Sequence, residues 1–201
     1  MSKQFNHSFN HVGVSVPDLD AAIKWYTTNL NFRLLKAPQE IKETGIPEVD
    51  EILSKIYGHD LKHVKVACLA TGNGIGFELF EFVRPKYSGP TSPTEFGPDN
   101  YAKGGCFHMG VTDPDPDALC ERLVQQGGKK VGGTMNLPNG ESVLYMQDPW
   151  GNARNEVYAA YSRKDAKVGM AFESDVVPSA KPAKSSPGVY IDRLVDKGLF
   201  Q

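Results

Sequence analysis

Four residues of this chain are of the types that grip a divalent ion or carry a proton: His11, Glu78, His108 and Glu156. The two histidines head matching segments, "NHVGVSVPDLDAA" from Asn10 and "FHMGVTDPDPDA" from Phe107. Every matched position keeps an offset of 97 (108 − 11), including Gly13 with Gly110, Pro17 with Pro114 and Asp18 with Asp115. A repeat carried without a slip marks a duplicated supersecondary unit. A lone His or Glu on a strand ordinarily faces water, but here each unit offers one His from its first strand and one Glu from its last. If the units pair about a pseudo-twofold axis, the four side chains converge. Two imidazoles and two carboxylates suit Zn, Fe(II), Mn, Co or Ni, and the two carboxylates neutralise the ion's charge.

The elements that must hold these residues follow from periodicity. From His11, valines alternate with His11, Gly13 and Ser15, the period of a strand. Asp18 offers an N-cap, and Ile23, Tyr26 and Leu30 line one helical face. Asn31, tolerant of the left-handed conformation, stands where that helix should end. "FRLL" is a second strand, and "HVKVACLAT" and "IGFELFEFV" form a hairpin around "GNG". The first unit therefore reads β-α-β-β-β over about residues 8–84. The second, over about 104–161, repeats the plan in shorter form: the strand "CFHMGVT", a helix capped by Asp115 and ended at Gly127, then the strands "SVLYMQD" and "NEVYAAY" around "DPWGNAR".

Two segments lack a counterpart. Val49, Ile52, Leu53 and Ile56 have helical spacing, so a short amphipathic helix over 47–57 is inserted in the first unit, read as extra core cover rather than a moving lid. Beyond about Ser162 the period is lost. "PSAKPAKSSPG" is a polar linker, and "VYIDRLVDKGLF" after it is apolar enough to dock. The sequence thus divides into a domain over 1–161 and a C-terminal extension over 162–201.

Strand parity says which side chains share a face. Each histidine lies on the face of the glycine two residues on, which leaves room for something to approach. Glu78 shares its face with Phe80 and Phe82, and Glu156 with Tyr158. These rings suggest a partly aromatic pocket wall, suited to an organic carbonyl or phenolic compound better than to a sugar or phosphate. His63, on the strand before the hairpin turn, is a further candidate for the wall. The three cysteines are odd in number, widely spaced and without C-x-x-C, and read as small buried hydrophobes.

With 22 Lys plus Arg against 24 Asp plus Glu over 201 residues, the net charge of −2 gives no electrostatic case for a nucleic-acid partner. No run of about 18 apolar residues exists to span a membrane, and "MSKQFNHSFN" lacks the apolar core of a secretory signal. The expectation is a cytoplasmic protein.

At the residues just named the sequence resembles the vicinal oxygen chelate superfamily, which includes glyoxalase I, methylmalonyl-CoA epimerase, extradiol dioxygenases and the fosfomycin- and bleomycin-resistance proteins. "HVGVSVPDLDAAIKWYTTNLNF", "GNGIGFELFEF", "HMGVTDPDPDAL" and "DPWGN..NEVY" carry the resemblance, over about Phe9 to Tyr161. It implies an α+β fold of two βαβββ modules in a cup-shaped mixed sheet around a metal, with ligand positions at His11, Glu78, His108 and Glu156. It also implies a possible homodimer. One departure concerns the last ligand. The family spacing "DPxGNxxE" lands on Asn155, whereas the Glu stands one residue later. A bulge that absorbs the extra residue keeps Glu156 as ligand, and without one the fourth ligand is lost. The match of "EVY" to "ELF" favours the bulge. The arginine expected near the first strand of glutathione-using glyoxalases has no match.

Three functions are compatible with such a site. The first is an isomerase, epimerase or lyase, in which the metal polarises a carbonyl and Glu78 or Glu156 removes the adjacent proton. The second is an Fe(II) extradiol-type dioxygenase using His11, His108 and Glu156. The third is a metal-free binding or resistance protein that takes up a small organic molecule.

Overall fold

The computed structural model describes residues 9–102, 104–138, 141–151 and 157–161, with the backbone alone for Val49, Ile52 and 157–161. Alternation after His11 produces strand β1 (His11–Ser15), with Val14 buried and His11, Gly13 and Ser15 on the exposed side. Helix α1 (Leu19–Asn29) begins where two acids meet its free N–H groups. Asp18 accepts from Ala21 N at 2.9 Å, and Glu81 accepts from Leu19 N at 2.9 Å. Just past the C-cap Leu30, Asn31 adopts φ 54° in the left-handed region, as its residue type anticipates.

The rest of the first unit is β2 (Arg33–Leu34), β3 (Gln39–Lys42), helix α2 (Pro47–Tyr57), β4 (His63–Ala70) and β5 (Gly76–Arg84). The sheet runs β1-β5-β4-β2, with β3 also on β4. β1 is parallel to β5, and β4 and β5 form the expected antiparallel hairpin around "GNG". A short helix α3 (Pro98–Tyr101) precedes the second unit. That unit comprises β6 (His108–Thr112), α4 (Pro116–Gln125), β7 (Lys129–Asn136), β8 (Ser142–Gln147) and β9 (Val157–Tyr161), in the order β6-β9-β8-β7. Its first strand is again parallel to its last. The two sheets thus repeat one connectivity, and the α+β architecture expected from the repeat is present.

Two strands have no apolar alternation to announce them. β3, "QEIK", is exposed at every position and exists by pairing with β4. β7 is interrupted by Gly132 and Gly133, where its register against β8 shifts.

One core serves both units. Val14, Val16, Leu19, Ala22, Trp25, Tyr26, Leu69, Phe77 and Leu79 of the first pack in one cluster with Leu119, Cys120, Leu123, Leu144 and Met146 of the second. The opposite face of the first sheet carries a smaller cluster. There Leu53 of α2 packs with Leu61 and Val64, against Val66, Phe80 and Phe82. The inserted helix is therefore cover laid over the face that bears Glu78. No helix among the described residues is long and apolar enough to cross a membrane.

Candidate metal and proton-transfer site

Register places the first two candidate residues. In the parallel β1–β5 pair, His11 lies opposite Gly76 and Gly13 opposite Glu78. His11 sits close over Gly76, where a Cβ would stand 2.8 Å from the His11 Cβ. With both side chains on the face away from the main core, His11 Nε2 comes within 3.5 Å of Glu78 Oε2. The pair is 49 % and 29 % exposed. Ion pairs this open contribute about 0–1 kcal/mol to stability, so holding the fold together is a poor account of it.

The far side of each group is also occupied. His11 Nδ1 lies 2.7 Å from Asn10 Oδ1. A carbonyl oxygen accepts only, so Nδ1 carries a proton, and in the neutral ring Nε2 presents its lone pair. A lone pair facing a carboxylate is repulsive unless a cation, proton or metal ion, lies between them. Two ligands with bonds of about 2.0–2.2 Å to a tetrahedral ion stand about 3.4 Å apart, close to the observed separation. On the other side, Cys68 Sγ donates to Glu78 Oε1 at 3.7 Å across the hairpin, where the two residues are directly opposed. Burial first, and the Glu78 charge second, push the Cys68 thiol above its ordinary value, which keeps it an S–H donor.

His108 takes the equivalent place on β6 of the second sheet. Its ring meets Phe107 edge-on at 4.5 Å and Tyr145 at 5.6 Å. Its Nδ1 is buried with no partner among the described residues, a state that costs about 1–3 kcal/mol and calls for a partner. The donor chemistry of His11, Glu78 and His108 fits a divalent ion, although no three His, Cys, Asp or Glu side chains among the described residues gather around one point. Glu156 and its alternative Asn155 lie outside the described residues, and for Tyr158 only the backbone pairings with Met109 and Met146 are described.

Of the expected pocket wall, Phe80 and Phe82 stack with centroids 6.0 Å apart. Phe80 reaches over Gly13, where a Cβ would come 3.2 Å from its ring. The space left by that glycine is therefore lined by an aromatic edge. His63 points elsewhere in its bonding, with Nε2 2.7 Å from Glu40 Oε1 on β3. Asn10 and Gly76 carry no local signal in the sequence, and Cys68 reads there only as a small buried hydrophobe. Counting register back from the "GNG" turn would have placed Cys68 opposite Glu78. Of the cysteines, Cys120 is buried as expected, whereas Cys106 is exposed and Cys68 is intermediate.

The chain is 28% identical over 149 residues to a 2-epi-5-epi-valiolone epimerase from Actinomyces sp., covering 71% of this chain and 74% of that protein. A glyoxalase family protein from Bacillus cereus superposes with a TM-score of 0.57 at 19% identity, over 81% of this chain and 99% of that one. Residues 8–155 match the Glyoxalase/Bleomycin resistance protein/Dioxygenase superfamily, and the chain belongs to that superfamily.

Proposed function

We propose that the protein is a metal-dependent enzyme of the isomerase class, an epimerase that moves a proton next to a carbonyl on a small organic molecule. The observation that carries this reading is the facing of Glu78 Oε2 and His11 Nε2 at 3.5 Å on an open, aromatic-edged face. The relative named as an epimerase supports the reaction type. Inverting a centre beside a carbonyl takes removal of one proton and its return from the other side. An ion held by His11, Glu78, His108 and Glu156 would polarise the carbonyl oxygen and so acidify the adjacent C–H. Glu78 would accept the proton through Oε2 once that oxygen leaves the ion, its other oxygen being engaged by Cys68. Glu156 would be the second acid, entering the cycle protonated and giving up that proton to the carbon while Glu78 keeps the one it took. Asn10 keeps the His11 ring turned so that Nε2 stays toward the site. Phe80 and Phe82 give the substrate an apolar, aromatic edge on the face that bears Glu78.

The test is proton exchange in D2O, with 2-epi-5-epi-valiolone as the first trial substrate. The protein should wash deuterium into the carbon beside the carbonyl, and chelation should stop it. Glu78→Gln should lose at least about a hundredfold in turnover, the usual worth of a positioned acid or base, while substrate binding is kept. Exchange that survives Glu78→Gln unchanged removes Glu78 from the mechanism. Oxygen uptake in place of exchange would substitute ring-cleaving oxidation for epimerisation.

A further inference from the structure

A chain of four polar groups crosses three neighbouring strands of the first sheet. Asn10 Oδ1 meets His11 Nδ1 at 2.7 Å, His11 Nε2 meets Glu78 Oε2 at 3.5 Å, and Glu78 Oε1 meets Cys68 Sγ at 3.7 Å. The backbone fixes both ends. The Asn10 carbonyl accepts Gly76 N–H at 2.8 Å, and Cys68 lies directly opposite Glu78 in the hairpin. We infer that Asn10 and Cys68 are positioning residues for the His11–Glu78 pair. Asn10 determines which imidazole nitrogen carries the proton, and Cys68 determines which carboxylate oxygen faces the imidazole. This rests on the reading of His11 and Glu78 as the working pair of the site.

The physical need is specific. An imidazole with its proton on Nε2 would donate to Glu78 Oε2 directly, satisfying both groups and closing the pair to any ion. By accepting from Nδ1, Asn10 opposes that tautomer and leaves two lone pairs facing each other, a ready seat for a cation. A carboxylate has two equivalent oxygens and turns freely about its last torsion. A donor on one of them singles out the other. A thiol donates weakly, but Cys68 needs only to bias that soft torsion so that one oxygen points at the imidazole. Were Cys68 mere filling, alanine would serve nearly as well and serine would offer no rescue.

Three readouts on the intact chain decide the matter. In metal-free protein at pH 8, imidazole 15N shifts should report the Nδ1–H form for His11 in the wild type and in Asn10→Asp. In Asn10→Ala the Nε2–H form should prevail. Retention of Nδ1–H in Asn10→Ala overturns the role of Asn10. The S–H stretching band of Cys68, assigned by its loss in Cys68→Ser, should move to higher frequency in Glu78→Ala, and a stationary band overturns the role of Cys68. Added Co2+ should bind about 10–100-fold more weakly to Asn10→Ala and Cys68→Ala than to the wild type, with Cys68→Ser near wild type. Undiminished binding in both alanine variants overturns the inference. A wild type that takes up no Co2+, with tautomer and S–H band as expected, sinks the metal reading of the site and leaves the positioning roles standing.

Discussion

At the scale of single residues, the site depends on two glycines with different tolerances. A methyl group on Gly76 would lie 2.8 Å from His11 Cβ and 3.3 Å from the Asn10 carbonyl. Both belong to the adjoining strand or its lead-in, so neither can move without shifting β1 on β5. Gly13 faces only the edge of the Phe80 ring, at 3.2 Å, and a ring edge can swing. Gly76→Ala should therefore cost about 1–3 kcal/mol by overpacking and displace His11, so that Co2+ binding falls with it. Gly13→Ala should cost less and change mainly the fit of substrate. Thermal unfolding and Co2+ titration of the two variants check the order, and equal losses would refute it. The strand positions of His11, Glu78 and His108 were legible because the repeat and strand parity are written in residue types. Asn10 and Gly76 were not, because their roles come from the parallel register of two strands whose partners stand 65 residues apart, for which no local pattern codes.

At the scale of elements, α2 is the informative case. Its expected span of 47–57 is the span observed, since spacing and an N-terminal Pro define it locally. What the spacing leaves open is how much of the apolar stripe is used. Leu53 is buried on Val64, Phe80 and Phe82, whereas Ile56 is 72 % exposed. The helix start is tied by Asp50, which accepts from Thr44 N at 2.8 Å and Gly45 N at 2.9 Å. These bonds, the Thr44 backbone N–H first, hold its carboxyl below the usual 3.8. A depressed acid contributes its stabilisation in full above that ordinary value and loses it as pH falls through the lowered one. The clamp should thus be constant near neutrality and open only in strong acid. Leu53→Ala should cost about 2–3 kcal/mol, and amide exchange should quicken in α2 while β1 and β5 stay protected. Protection of α2 equal to wild type would mean that Leu53 does not seat the helix. β3 and β7 escaped the sequence reading for opposite reasons. One has no apolar face to show, and the other is broken by paired glycines.

For the whole molecule, the question is what fixes one unit against the other, since convergence of their histidines presupposes it. The answer lies on the side of the sheets away from Glu78. Tyr26 of α1 donates its hydroxyl to Asp148 Oδ2 at 2.7 Å, across 122 residues, and both are buried. Asp148 also accepts Trp150 N–H at 3.0 Å, so the "DPWG" turn is folded around the carboxylate that the first unit's helix grips. Trp25 adds an indole N–H donated to Gln126 O at 3.0 Å, and its ring lies 6.2 Å from that of Trp150. Sequence periodicity assigns Tyr26 to the apolar face of α1, correctly. It cannot say that the hydroxyl at the ring's end meets a carboxylate in the other unit, because that depends on how two separately specified modules dock. Since these bonds sit within the main core, drawn from both units, opening the seam breaks that core and leaves the first unit only the small cluster under α2. The protein should unfold in one transition, with the tryptophans at the seam reporting the same midpoint as far-ultraviolet circular dichroism. Tyr26→Phe keeps the ring packing and removes one buried bond to a charge. It should lower stability by about 1–3 kcal/mol without separating the two probes. Probes that part company in the wild type would show that each unit folds by itself, and the seam would then be a docking contact between two independent folds.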